Sequence, residues 1–314
     1  MGGSGGSGYY NSRSSSQGID RLVEQVEGRI EESDYNSQVN DILQEVLRDF
    51  NQRDSPKTWE YINTLKDAIN AGIEGTVDLA FGGSVRKHTY VNGLSDVDLL
   101  VQINNTSLAQ SSPRQVLSHF ESQIKAALSN MDGVQVSSGN LAVTVSYPDG
   151  TKLQLLPTIR TASGFRIASS RDTEQWSNVV RPISFARKLT EVNQANSRKV
   201  VPIVKLFKGL VNECGIDMSG YHAESLAIKV FENYQGGTSY KEMLSHMCRV
   251  STDLVKSPIA DRTGQSLHVD DYLGSANSLQ RRQVSQALLR LATQMDAANT
   301  HRSTARWEEW FGDE

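Results

Sequence analysis

The chain has 314 residues, enough for one large or two modest domains, and its 38% hydrophobic and 22% charged content is that of an ordinary soluble protein. Its formal net charge of -4 argues against a dedicated duplex-DNA binder, which normally carries a basic excess. No apolar run approaches the roughly 20 residues that span a bilayer, the start lacks the charged and apolar regions of a signal peptide, and Cys214 and Cys248 are too few for a disulfide framework, so no membrane partner and a reducing, cytoplasmic setting are expected.

Residues 1–16 are rich in Gly and Ser and are expected to stay unfolded, because they offer too little surface to bury. From about Ile19 apolar residues recur at three- and four-residue steps: Leu22, Val23, Val26 and Ile30, then Val39, Ile42, Leu43, Val46, Leu47 and Phe50. Pro56 closes this region. A second helix with Trp59, Ile62, Leu65 and Ile69 on one face ends near Gly72 and Gly75.

The organising stretch follows. An apolar run ending in Phe81 meets the turn Gly82-Gly83-Ser84, and a second strand then carries Asp96 and Asp98 as DVD before LLV. Side chains two apart in a strand share a face. Asp96 and Asp98 should therefore project together while Val97 and Leu99 enter the core. Two such carboxylates suit a hard divalent cation, and Mg²⁺ (or Mn²⁺) in nucleotide enzymes sits between carboxylates and substrate phosphates. Gly83 and Ser84 would let backbone N–H groups and a hydroxyl approach phosphate oxygens.

GGS, a gap, then SDVDLLV resembles the signature of the DNA polymerase β-like nucleotidyltransferases. Within that superfamily the chain resembles the bacterial cyclic-oligonucleotide synthases of antiphage signalling, the CD-NTases, which are related to oligoadenylate synthase. The resemblance covers roughly residues 60–275. It implies an α/β (α+β) fold, with a polymerase β-like core on a mixed sheet and a helical oligoadenylate-synthase-like C-terminal lobe. The expected division is 17–198 for the N-terminal helices and nucleotidyltransferase core, and 199–314 for the helical lobe.

Beyond the acidic strand, Ser111 and Ser112 with Pro113 start a helix whose Val116, Leu117, Phe120 and Ile124 should cover the sheet. Val134 and Val136, then Leu141 to Tyr147, the turn Pro148-Asp149-Gly150 and Lys152 to Ile159 read as a hairpin. In the resembling family the returning strand carries a third carboxylate three residues before a proline. Here that position, ahead of Pro157, is Gln154. Glutamine can ligate a cation or hydrogen-bond a hydroxyl but cannot accept a proton as a carboxylate does. Three readings stay open: the site works with two carboxylates, Asp149 supplies the third, or the protein is catalytically impaired.

In the second lobe a helix from Lys199 carries Lys205 and Lys208, either a solvated edge or cations aimed at a triphosphate. KLFKGL resembles the lysine-bearing helix that holds donor phosphates in the animal relatives, with Lys208 the better match. Met218 to Leu226 resembles the segment in which a Ser and a Tyr flank the nucleotide, which implies Ser219 and Tyr221 as contacts, Tyr221 as base platform. His246 with Cys248 lacks the four ligands of a structural zinc site and reads as packing. Ser257 to Gly264 reads as a loop, and Asp270 and Asp271 as solvated or capping residues. Arg281 with Arg282, and Arg302 with Arg306, are candidate basic pairs for nucleic acid or solvated faces. A last helix runs from Ser278 through Met295, with Trp307 and Trp310 anchoring the tail.

The resemblance implies a template-independent nucleotidyltransferase that makes a cyclic oligonucleotide second messenger from NTPs, ATP among them, and so acts on an effector protein. The alternatives are a linear oligonucleotide or RNA-end nucleotidyltransferase, and a nucleotide-binding module without activity.

Overall fold

The computed structural model describes residues 13–311 apart from 53, 54, 170, 171 and 173. Most of the Gly/Ser segment lies outside them. Helix α1 nevertheless begins at Arg13, so Ser14 to Ser16 are helical and not part of an unfolded tail.

The elements run α1 (Arg13–Asn51), α2 (Ser55–Asn70), β1 (Asp78–Phe81), α3 (Gly83–Arg86), β2 (Val97–Gln102), α4 (Pro113–Ala127), β3 (Gln135–Ser138), β4 (Val143–Ser146), β5 (Lys152–Thr161) and β6 (Gly164–Arg166). There follow α5 (Pro182–Ala195), α6 (Val200–Glu213), α7 (Gly220–Phe231), α8 (Tyr240–Leu254), α9 (Leu279–Thr300) and α10 (Thr304–Glu309). The sheet order is β1-β2-β5-β4-β3, with β6 on β5. Only the β2–β5 pairing is parallel, so the sheet is mixed.

Alternation along the strands decides what each face does. Val97, Leu99 and Val101 of β2 and Leu153 and Leu155 of β5 pack with Ile62, Leu65 and Ile69 of α2 and Val116, Leu117, Phe120 and Ile124 of α4. Helix α4 starts as its sequence requires, with a capping box between Ser112 and Gln115 and Pro113 at its first position. The same alternation sends Asp98 and its register partner Gln154 to the opposite face. Trp59 departs from expectation: it is 49% exposed and packs edge-on against Phe81, off the buried stripe of α2.

A second core joins Tyr35, Val39, Leu43 and Leu47 of α1 to α5 through α10. Helix α5 was not legible in the sequence, yet Phe185, Leu189 and Val192 pack in this core, as do Trp307 and Trp310 at the tail. The two cores are therefore not consecutive blocks of chain. Trp307 Nε1 donates to Tyr35 Oη at 2.9 Å, tying α10 to α1. Val26 and Ile30 are exposed although they continue the periodicity of α1, because the helix outruns the core at that end.

Two expectations need correction here. Arg281 is no nucleic-acid contact: it is 0% exposed, pairs with Asp270 at 2.6 Å and donates to the carbonyls of Val255, Asp270 and Gly274. Asp270 is accordingly buried and not solvated, and it also accepts the Ile259 N–H. Such a pair persists in a core because every polar atom finds a partner. Arg302 and Arg306 are engaged with Glu31 and Glu309. His246 packs on Tyr234 at 4.7 Å between ring centroids, Cys248 is buried in the helical core, and both cysteines are free. Among the described residues no helix is long and apolar enough to cross a membrane.

Candidate active site

The site grows from the junction of β1, α3 and β2. Gly82 N–H donates to the Asp98 carbonyl at 2.8 Å, so the turn lies directly against the acidic strand. Gly83 sits at φ +44, and a Cβ there would stand 1.5 Å from Asp98 Oδ2. Only glycine tolerates both the backbone angle and that approach. Gly83→Ala should therefore push the Asp98 carboxylate from its place and lower turnover by about 100-fold or more, a loss typical of misplaced reacting groups. A thermal melt within a few degrees of wild type, measured alongside, would separate this from unfolding.

Asp98 is half-buried. Burial raises its pKa to about 6, Lys87 and the Ser84 N–H pull the other way, and the charges of Asp96 and Glu224 add to the rise. Asp96 stands one residue ahead of β2, slightly off the strand on which it was expected. Its Oδ2 accepts a hydrogen bond from Gln154 Nε2. Asp96, Asp98 and Gln154 are thus gathered as the spacing requires. Gln154 acts as a donor that holds Asp96, where a carboxylate would repel it unless a cation lay between. Asp149 is elsewhere, bound to Lys57 at 2.8 Å and Tyr61 at 3.0 Å on α2, so it supplies no third carboxylate.

The residues present fit a hard divalent cation. Two carboxylates and an amide offer oxygen ligands, Asp98 is charged only at a cost that a cation would remove, and the buried Ser84 hydroxyl has no hydrogen-bond partner among the described residues. Among the described residues no group of three or more His, Cys, Asp or Glu side chains converges as a metal site, and here Asp96 and Asp98 are two. A cation needs Asp98 ionised. Divalent-cation affinity, read by calorimetry, should fall as pH drops below about 6 and approach a tenfold loss per pH unit. An affinity flat between pH 5 and 7 would show that Asp98 is not a ligand.

Beside Asp98 opens a cleft of about 360 Å³ whose far wall comes from the helical lobe: Phe185 of α5, Tyr221 of α7 and the loop residues Thr263 and Gln265. Tyr221 lines it as half-buried side chain, 4.8 Å from the Phe185 ring. Its hydroxyl donates to Asp261 at 2.6 Å, and Asp261 is in turn held by Thr263 and Ser266. Burial, reinforced by Asp261, pushes the Tyr221 hydroxyl well above its ordinary pKa. That leaves a fixed, neutral ring facing the cleft. Lys87 Nζ lies 5.1 Å from the Phe185 centroid and 5.2 Å from that of Tyr221.

The lysines sort differently from expectation. Lys87 lines the cleft and Lys208 does not. Lys208 Nζ is bound behind it, to Glu224 Oε1 at 2.8 Å and the Thr89 carbonyl at 3.1 Å, and Gly220 leaves room for its stem. Burial lowers the Lys208 pKa and the Glu224 charge partly restores it. Lys205 is carried to a separate cavity, where it meets Asn51. Ser219 caps α7, its hydroxyl accepting the His222 N–H at 3.2 Å, and it too stays out of the cleft. Sequence reasoning missed Lys87, Phe185, Arg86 and Gln265. Lys87 lay within the recognised stretch, but nothing in the spacing marks its direction.

No protein-family profile matches the sequence, and no curated protein matches it. Solved structures do match in three dimensions. Escherichia coli MS115-1 CdnC with ATP aligns at 16% identity and a TM-score of 0.61, over 87% of this chain and 98% of that one. Bradyrhizobium diazoefficiens CD-NTase CdnG with GTP aligns at 13% and 0.63, over 88% and 98%. Vibrio cholerae DncV, a cyclic AMP-GMP synthase solved with a linear intermediate, aligns at 9% and 0.63, over 95% and 89%.

This chain has the CD-NTase fold. At such identities the likeness fixes architecture alone: a mixed sheet bearing the carboxylates, closed on one side by a helical lobe.

Proposed function

We propose that this protein is a template-independent nucleotidyltransferase that joins NTPs into a cyclic oligonucleotide, ATP being one substrate, and that the product signals to an effector protein in antiphage defence. The observation that carries the reading is Asp98, braced by Gly83 and beside Asp96, opening on a cleft that also holds a fixed tyrosine ring and a cationic edge made of Arg86 and the Glu224-anchored Lys87. Mg²⁺ or Mn²⁺ on Asp96 and Asp98 would neutralise phosphate charge and ease ionisation of the attacking hydroxyl.

The chain's own groups do the rest. Tyr221, backed by Phe185, offers a stacking face that tolerates any base. Lys87 and Arg86 supply positive charge to a polyphosphate at the cleft wall. The Ser84 hydroxyl, unpartnered among the described residues, is buried next to Gly83 and does not line the cleft. Gln154 fixes Asp96 and cannot take the proton, so the hydroxyl proton leaves to water while the new P–O bond forms and pyrophosphate departs. Phosphoryl transfer depends mostly on positioning and charge, which two carboxylates can supply.

The test incubates the protein with labelled NTPs and Mg²⁺ or Mn²⁺ and treats the products with phosphatase. A phosphatase-resistant product supports the cyclase. A phosphatase-sensitive ladder means a linear polymerase, and bound NTP with no product means an inactive module, the reading that Gln154 leaves standing.

A further inference from the structure

A second, larger cavity of about 640 Å³ lies on the other side of α3 from the acidic cleft. Val85 and His88 line it, whereas Gly83 and Lys87 line the cleft, so the turn after Gly82 is a wall common to both. Three basic side chains from three parts of the chain meet there: Arg48 of α1, His88 after α3 and Lys205 of α6. Among the described residues no Asp or Glu lines the cavity. None of the three basic groups is in an ion pair among the described residues. Elsewhere the protein neutralises its half-buried cations, as Lys208 and Lys87 with Glu224 and Arg281 with Asp270 show.

Lys205 differs: like Lys241 it is partnered by a neutral amide, but Lys241 feels Glu242 and Glu32 whereas no acid offsets the burial of Lys205. It is partly buried, its one hydrogen-bond partner among the described residues is the neutral Asn51 amide oxygen, and burial together with Lys208 lowers its pKa. A cation held this way is costly unless an anion completes it. Two aromatic rings, Tyr90 and Tyr240, stand in the same cavity, and Lys199 Nζ already covers one ring face at 3.9 Å from the Tyr240 centroid. His88 is held at φ 60, a backbone region that non-glycine residues seldom occupy and that concentrates at functional positions. The volume falls within the roughly 300–1,000 Å³ of small-molecule sites.

From this geometry we propose that the cavity is a second ligand site, distinct from the acidic cleft, for a phosphorylated molecule with a planar ring, of the mononucleotide class. Arg48, His88 and Lys205 take the phosphate and the tyrosines take the ring. The site needs no divalent cation, because its charge is already positive.

The cation independence makes the test clean. Fluorescently labelled AMP is titrated into the full chain in EDTA and binding is read by anisotropy, with unlabelled AMP and inorganic phosphate as competitors. Binding should be competed by AMP at least tenfold better than by phosphate. It should weaken at least tenfold in Arg48→Glu/Lys205→Glu and persist in Asp96→Asn/Asp98→Asn. Should the charge reversal prevent folding, as read by circular dichroism, Arg48→Gln/Lys205→Gln takes its place with the same expected direction. Three results overturn the proposal: no binding at millimolar AMP, binding lost in the aspartate variant but kept in the basic one, or phosphate competing as well as AMP. The assay does not depend on catalysis, so an inactive enzyme with this site intact remains distinguishable from an active enzyme without it.

Discussion

Asp98→Asn is expected to reduce nucleotidyl transfer by about 1,000-fold or more while leaving the melting temperature unchanged or slightly raised. The size follows from removing a charged ligand for the cation that would stabilise phosphate charge in the transition state, where single electrostatic groups are worth about 10²–10³ and cation loss adds to it. The direction on stability follows from protonation. Asp98 has a folded pKa of about 6 against 3.8 unfolded, so the folded state holds the extra proton between these values. Its contribution is fully present below about pH 4 and lost as pH rises through 6. Above pH 6 an ionised Asp98 is a burden that asparagine lifts. Asp96→Asn should match the loss of activity. A variant at either position that keeps a tenth of wild-type turnover with Mg²⁺ would remove the carboxylates from the chemistry, and with them the enzyme reading.

Glu224→Ala should be the most damaging single change to stability, at about 3–5 kcal/mol and a melting point lower by on the order of 10 °C. Glu224 is fully buried on α7 and receives Lys87 from the loop after α3, Lys208 from α6 and the Thr89 hydroxyl. Burial alone would raise its pKa; the charges of Lys87 and Lys208 outweigh that and hold it below the usual carboxylate range. Removing the carboxylate strands two ammonium groups beside a core. Activity should fall as well, because Lys87 lines the cleft and would lose its anchor. The apolar triple variant Lys87→Met/Glu224→Leu/Lys208→Met separates the two effects: it should recover most of the lost stability and none of the turnover. If Glu224→Ala melts within a degree of wild type, the triad is not what joins the acidic turn to the helical lobe.

Gly82-Gly83-Ser84 and Asp96-Val97-Asp98 were legible because their chemistry is local. A two-residue strand period fixes a shared face whatever the rest of the chain does, and the apolar residues between set which face is core. The capping of α4 and the inward stripe of α9 were readable for the same reason. Counting back from Pro157 put Gln154 at the resembling family's third-carboxylate position, but its pairing opposite Asp98 and its hydrogen bond to Asp96 depend on the β2–β5 register, and those strands are some fifty residues apart in the chain. Helix α5 escaped notice because only Phe185, Leu189 and Val192 of its fourteen residues are buried, a stripe too thin to stand out.

Lysine and arginine directions were the least readable. KLFKGL gave the positions of Lys205 and Lys208, but residues three apart on a helix diverge by about 60°, and neighbouring elements decided that one meets Glu224 and the other an acid-free cavity. Arg281 looked like half of a surface pair and is the centre of a buried one. Sequence alone thus determined the acidic strand, the glycine turn that backs it and the division into sheet and helices, since each rests on residues adjacent along the chain. Tertiary structure alone decided which cations face the cleft, because a long charged side chain goes wherever packing from distant segments leaves it a partner or a space.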